Sequence, residues 1–185
     1  LLNKHTYTTR AEVSMEAEFA IREETPVTKK RTQNTAIIIA KAVSEEEKGY
    51  EEIGAMVTGI TVCPCSQEMM SGRARKKLAS LGLGEKEVEE FLEEVPQAGH
   101  SQRGHATLKM ESKDSSKIDV IDLIEVARES MSSKIFNLAK RPDEDYMTYH
   151  AHLNAKFVED CVRNMAKKVV DKFEHLDDEV IVTMN

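Results

Sequence analysis

From Ala11 to Ile21, the apolar residues Ala11, Val13, Met15, Ala17, Phe19 and Ile21 alternate with Glu12, Ser14, Glu16 and Glu18. A period of two marks a half-buried strand. After the turn-like Glu24-Thr25-Pro26, the run Thr35-Ala36-Ile37-Ile38-Ile39-Ala40 predicts a second, more buried strand. The charged stretch Glu45 to Gly49 connects it to a third strand over 50–62, where Gly54 and Gly59 point to a bulge or a close backbone approach. Between Ser66 and Glu94 the period becomes helical. Met69, Met70, Ala74 and Leu78 recur about once per turn, Leu81-Gly82-Leu83-Gly84 closes the helix, and a second short helix runs through Val88, Phe91 and Leu92. Ala106, Leu108 and Met110 alternate through a fourth strand over 105–111.

Helix returns at Asp119, with Val120, Leu123, Ile124 and Ala127 on one stripe. Ala139 to Asp143 is a loop by its proline, because the residue before proline is pushed out of the helical region. Phe157, Val158, Cys161, Val162, Met165, Val169 and Phe173 then mark the longest helix, ending near His175, and Val180-Ile181-Val182 is a last strand. No internal repeat or low-complexity segment interrupts the pattern. It predicts an α+β domain, an antiparallel sheet covered by helices on one face.

Composition narrows the setting. The 185 residues are 40% hydrophobic and 32% charged, as in globular proteins. No run approaches the roughly 18 apolar residues of a membrane helix. A net charge of −7 opposes nonspecific binding to nucleic acid or anionic membrane, which needs a positive field. An anionic small molecule remains acceptable to local basic residues. The chain opens on Leu1 with no signal-peptide pattern, so a natural start is expected upstream. Three cysteines, two separated only by Pro64, do not suggest a disulfide framework, and a reducing cytoplasm is the expected location.

Three polar clusters carry candidate chemistry. Thr61-Val62-Cys63-Pro64-Cys65-Ser66 puts two thiols between a strand and a helix. Unpaired N–H groups and the dipole at a helix N-terminus stabilise thiolates and favour metal binding. By spacing alone the pair fits two small buried hydrophobes equally well. Gln97-Ala98-Gly99-His100-Ser101-Gln102-Arg103-Gly104-His105 is expected to be a loop bracketed by two glycines. The third cluster is Lys140-Arg141-Pro142-Asp143-Glu144, followed by Glu159, which lies off the apolar stripe of its helix and by itself suggests a solvated charge.

Cys63-Pro64-Cys65-Ser66, Ala98-Gly99-His100-Ser101-Gln102-Arg103, Lys140-Arg141-Pro142-Asp143-Glu144 and Phe157-Val158-Glu159-Asp160, in that order, resemble the motifs of the type IB and archaeal type IV GTP cyclohydrolases. Ser133-Lys134, Tyr146 and Thr148 also fit. The resemblance implies a tunnelling fold that assembles with copies of itself, as a dimer or tetramer, into a barrel with interfacial active sites. It implies a divalent metal on Cys63, His100 and Glu144, with Fe(II) as the working ion and Zn(II) or Mn(II) as substitutes, and Glu159 anchoring the guanine of GTP. Such a mixed three-ligand set leaves a position open for water, as in catalytic sites. Cys65 is expected beside the metal, His105 is a candidate proton carrier, and Arg103 a candidate phosphate contact.

The resemblance further implies that residues 1–185 are the C-terminal part of a longer two-part chain, with a histidine-containing segment beyond Asn185. The helical insert, about 66–95, resembles the archaeal type IV enzymes, whose product is 7,8-dihydroneopterin 2′,3′-cyclic phosphate for methanopterin synthesis. Type IB relatives release 7,8-dihydroneopterin triphosphate. Two other readings remain at this stage. One is a non-catalytic oligomerisation module with a closed structural site on Cys63, Cys65, His100 and His105; the other is a sister enzyme of the same fold acting on another pterin or deazapurine.

Overall fold

A computed structural model describes residues 4, 5, 7–45 and 49–173, and the backbone of 179–184. Its strands are β1 (Arg10–Glu24), β2 (Arg31–Glu45), β3 (Gly49–Val62), β4 (Ser101–Ser112), β5 (Ser133–Lys134) and β6 (Glu179–Met184). The helices are α1 (Pro64–Ser80), α2 (Glu85–Glu94), α3 (Val120–Ser130), α4 (Arg141–Leu153) and α5 (Val158–Lys172). Among the described residues the strands form one antiparallel sheet in the order β1-β2-β3-β4-β6, and β5 pairs with the second half of β3. Glu46 to Lys48, within the expected connection from β2 to β3, and His175, the expected helix end, lie outside the described residues.

The alternation in sequence becomes a one-sided core. Register places Ala36 of β2, Ala55 and Val57 of β3, and Ala106, Leu108 and Met110 of β4 on one face. Leu123, Ile124 and Ala127 of α3, with Met165, Val169 and Phe173 at α5, pack onto it. The three sheet alanines let the helices sit close, and each fully buried Leu, Ile or Met contributes about 1.5–3 kcal/mol. Cys161 is buried, as its place in the stripe predicts. Gly59 is a close approach within an unbroken register: a Cβ there would strike the Met131 thioether and come 3.1 Å from the Ser133 carbonyl oxygen.

The structure corrects four expectations. The segment over 97–105 is not one loop, because β4 begins at Ser101 and buried Gly104 pairs with Gly59 inside the sheet. The longest helix is α1, with 17 residues against 15 in α5. Its periodic signal is weak because Gly72 and a run of basic residues interrupt it, and none of its residues is buried, Met69 and Met70 included. The loop at Ala139-Lys140 gives way at Arg141 to α4, which the apolar pattern does not reveal. Pro142 is tolerated there because the first turn of a helix needs no N–H donor at that position. Finally, the apolar face of β1 is only partly covered: Phe19 and Ile21 meet the core, whereas Val13 and Met15 are 54% and 53% exposed. No helix among the described residues is long and apolar enough to cross a membrane.

Gly59→Ala should lower the urea unfolding midpoint, by about 1–3 kcal/mol of stability, since overpacking displaces Met131. Pairing it with Met131→Ala should leave the double variant less destabilised than the sum of the single changes.

Candidate functional site

The site is organised by backbone at the end of β3. On one side the Ser132 amide donates to the Ile60 carbonyl at 3.0 Å, and the Val62 amide donates to Ser132 Oγ at 3.2 Å. The Lys156 amide, three residues before Glu159, donates to the Val62 carbonyl at 3.1 Å. On the other side the Cys63 amide donates to the His100 carbonyl at 2.8 Å, and the His100 amide donates to Ser66 Oγ at 3.1 Å. Two of the four sequence motifs, and the residue that directly precedes a third, therefore meet at two consecutive residues. Cys63 is the N-cap of α1, with extended backbone and Pro64 next, and its carbonyl accepts the first helical hydrogen bond, from Gln67, at 3.2 Å.

Close packing enforces this pairing. A Cβ on Gly99 would lie 2.9 Å from Val62 Cγ1 and 3.1 Å from the Cys63 carbonyl oxygen, so only glycine lets the His100 segment lie against Cys63. Gln67 extends the assembly: its Nε2 donates to the Gln97 carbonyl at 3.0 Å and to the His152 carbonyl at 2.6 Å. The helix that carries Glu144 is thereby tied to the first turn of α1. Glu144 lies seven residues before buried Ala151, on the same stripe of α4, while remaining exposed to solvent.

Asp143, beside Glu144, has no exposed surface at all. Its Oδ1 accepts from the Val27 amide at 3.0 Å and the Thr28 amide at 2.9 Å; its Oδ2 accepts from the Thr28 hydroxyl at 2.5 Å and the Lys140 amide at 3.0 Å. Burial alone would push this carboxyl up, but the bonds from the Thr28 hydroxyl and amide and from the Lys140 and Val27 amides outweigh it and hold it well below the ordinary carboxylate range. Sequence reasoning passes over Asp143 because an acidic residue in a first helical turn is unremarkable, and nothing local announces a partner 115 residues away.

The remaining candidates are distributed around this hub. Cys63 is half-buried and Cys65 exposed at the start of α1. Glu159 is exposed in the first turn of α5. Arg103 and His105 are exposed on the same side of β4. Arg103 borders a cavity of about 160 Å³ with Thr35, Thr58 and Asn137. His105 Nδ1 shares a 3.0 Å hydrogen bond with Thr58 Oγ1. Five residues of strand, about 16 Å, separate His105 from His100.

A thiolate, an imidazole and a carboxylate suit a borderline divalent ion, and the backbone pairing of Cys63 with His100 puts two of the residues that carry these donors next to each other. Among the described residues no three His, Cys, Asp or Glu side chains stand close enough to hold one. The same holds for the alternative set of Cys63, Cys65, His100 and His105.

Two outcomes follow. Gly99→Ala should cost about 1–3 kcal/mol and speed hydrogen exchange at the Cys63 amide, read by urea unfolding and by NMR. For Asp143 the folded carboxyl titrates below the unfolded one, so its stabilisation is present above the unfolded pKa of about 4 and is lost as pH falls towards the folded value. The gap in thermal midpoint between the native chain and Asp143→Asn should be widest near neutrality and narrow below about pH 4.

Comparison with known proteins bears on what this hub serves. The chain is 60% identical over 185 residues to GTP cyclohydrolase MptA of Halobacterium salinarum. It is 59% identical over 184 residues to the protein of that name from Haloferax volcanii, and 42% over 188 to that from Methanoculleus marisnigri. All of this chain is covered in each case, and it spans 60% of the length of each of these relatives. Residues 1–183 match the family model described as type I GTP cyclohydrolase folE2. The match runs through every element that builds the hub, and the chain belongs to the type I GTP cyclohydrolase folE2 family.

Proposed function

We propose that this chain forms the catalytic part of a metal-dependent GTP cyclohydrolase, which opens the guanine imidazole ring by hydrolysis at C8 and releases formate. The carrying observation is the hub at Val62-Cys63, where the segments leading to His100 and Glu159 are hydrogen-bonded to consecutive backbone groups. The names of the similar proteins, GTP cyclohydrolase MptA, agree with that chemistry.

In this reading Cys63, His100 and Glu144 hold a divalent ion, Fe(II) in function, with Zn(II) or Mn(II) able to replace it. Such an ion, when bound, supplies Lewis acidity towards water. The protein's own groups do the rest. Glu159 accepts two hydrogen bonds from the adjacent N–H groups of the guanine edge and so fixes where C8 lies. Arg103 binds phosphate oxygens in bidentate fashion. Cys65 and His105 are the groups assigned to proton transfer in this reading. Copies of the chain complete the site by assembling through the uncovered face of β1 into a barrel. The product is 7,8-dihydroneopterin 2′,3′-cyclic phosphate, made in the cytoplasm for methanopterin synthesis.

Anaerobic incubation of the full-length protein with GTP and Fe(II) should release formate and yield a cyclic phosphate by mass spectrometry. A triphosphate product would move the protein to the type IB reaction, and bound but intact GTP would favour a sister enzyme. Cys63→Ala should lower both bound metal and turnover by more than the roughly 10–100-fold typical of groups that only support a ligand. Full activity in that variant would remove Cys63 from the site.

A further inference from the structure

α4 is a helix with little apolar anchorage. Only Asp143 and Ala151 of its 13 residues are buried, and Ala151 belongs to the C-terminal half. Arg141, Pro142, Glu144 and Asp145, which surround Asp143 in the first turn, are exposed. Its N-cap, Lys140, makes no side-chain cap. Hydrophobic burial therefore cannot set where this turn sits, and the carboxylate of Asp143 is the only buried group available to do so.

The start of α5 is the internal control. There too the N-cap, Phe157, lacks a capping side chain, and the aspartate three residues on, Asp160, accepts from the N-cap amide at 3.2 Å. Asp160 then turns outward to Arg163. Asp143 performs the same capping at Lys140 and, in addition, spends the rest of its acceptor capacity on Val27 and Thr28 in the turn between β1 and β2. That turn is stiff in its own right. The Thr25 amide donates to the Lys30 carbonyl at 2.9 Å, the Lys30 amide donates to Thr25 Oγ1 at 3.1 Å, and Thr25 is fully buried. Lys29 holds a positive φ of 53°, which costs a non-glycine residue energy and persists only when its surroundings over-determine it.

We infer that Asp143 and Thr28 are positioning residues for Glu144: together they lock the first turn of α4 to the β1–β2 turn and thereby fix the axial position and rotation of the backbone that carries the Glu144 carboxylate. The inference rests on the assignment of Glu144 as a ligand. Glu144 follows Asp143 directly, and its amide bonds the Lys140 carbonyl at 2.9 Å, so any slip of the clamp moves Glu144 with it. A ligand displaced by about 1 Å loses much of its value, because sites tolerate only about 0.5 Å of misplacement.

The test uses the full-length protein in its native assembly at neutral pH, loaded with Zn(II) or Co(II). Asp143→Asn leaves at least one amide or hydroxyl donor facing an NH2 group; Thr28→Val removes the hydroxyl alone and keeps the shape. Both should weaken Zn(II) about 10-fold or more in competition with a chelator, in line with other groups that orient ligands. Both should also shift the visible bands of the Co(II) form in the direction given by Glu144→Gln, while Thr28→Ser keeps the native affinity and spectrum. A lower melting temperature with unchanged affinity and spectrum in Thr28→Val would overturn the inference and reduce the clamp to a stabilising contact. Thr28→Val decides alone if Asp143→Asn does not fold. Glu144→Gln separates the two levels: unchanged affinity there removes Glu144 as a ligand, whereas a loss there without any loss in Thr28→Val overturns only the positioning role.

Discussion

Two peptide groups at the end of β3 hold the polar half of this structure together. Beyond Ile60 the strand has lost β5 as a partner on one edge, so the Val62 amide and carbonyl must be satisfied by something other than a strand. Val62 is fully buried, and an unpaired backbone group there would cost about 1–3 kcal/mol. Ser132 and Lys156 meet that demand, and His100 meets it for the Cys63 amide on the opposite edge. The same hydrogen bonds that close the sheet thus bring separate stretches of chain to Cys63 without using any candidate ligand side chain. The backbone, rather than the thiol or the imidazole, does the assembly.

α4 follows a different logic. It is held at its two ends, by Asp143 against the β1–β2 turn and by Gln67 against the His152 carbonyl. Both contacts are polar and long-range, which explains why no apolar period marks the helix. Polar contacts of this kind add little net stability each, but they are directional, and leaving one partner unmatched is costly. They suit a helix whose orientation matters more than its burial.

This contrast also explains what could be read from sequence. Ala106, Leu108 and Met110 revealed β4, and Cys161, Met165 and Val169 revealed α5, because each set is buried against the core with its proper period. The order of Cys63, His100, Glu144 and Glu159 was legible as a family pattern, and the matching family bears out that recognition. The roles proposed for those residues rest on that resemblance alone. Gly104 misled because a glycine is a loop signal locally, whereas here it pairs with Gly59 in the sheet, where the Met131 thioether packs over Gly59. Asp143, Gln67 and Ser132 were invisible, since their partners lie 115, 85 and 70 residues away and a single sequence carries no trace of such pairings.

The uncovered part of β1 has a simple geometric cause. β1 and β2 each run 15 residues, about 50 Å at the rise of a strand, whereas α5, with 15 residues, spans about 22 Å. The described helices are too short to cover such a hairpin along its length, and Val13 and Met15 keep the apolar alternation while standing exposed. The β1–β2 turn at the other end of that hairpin is the one clamped by Asp143. Whatever packs against the hairpin therefore bears on the turn to which Asp143 ties the start of α4.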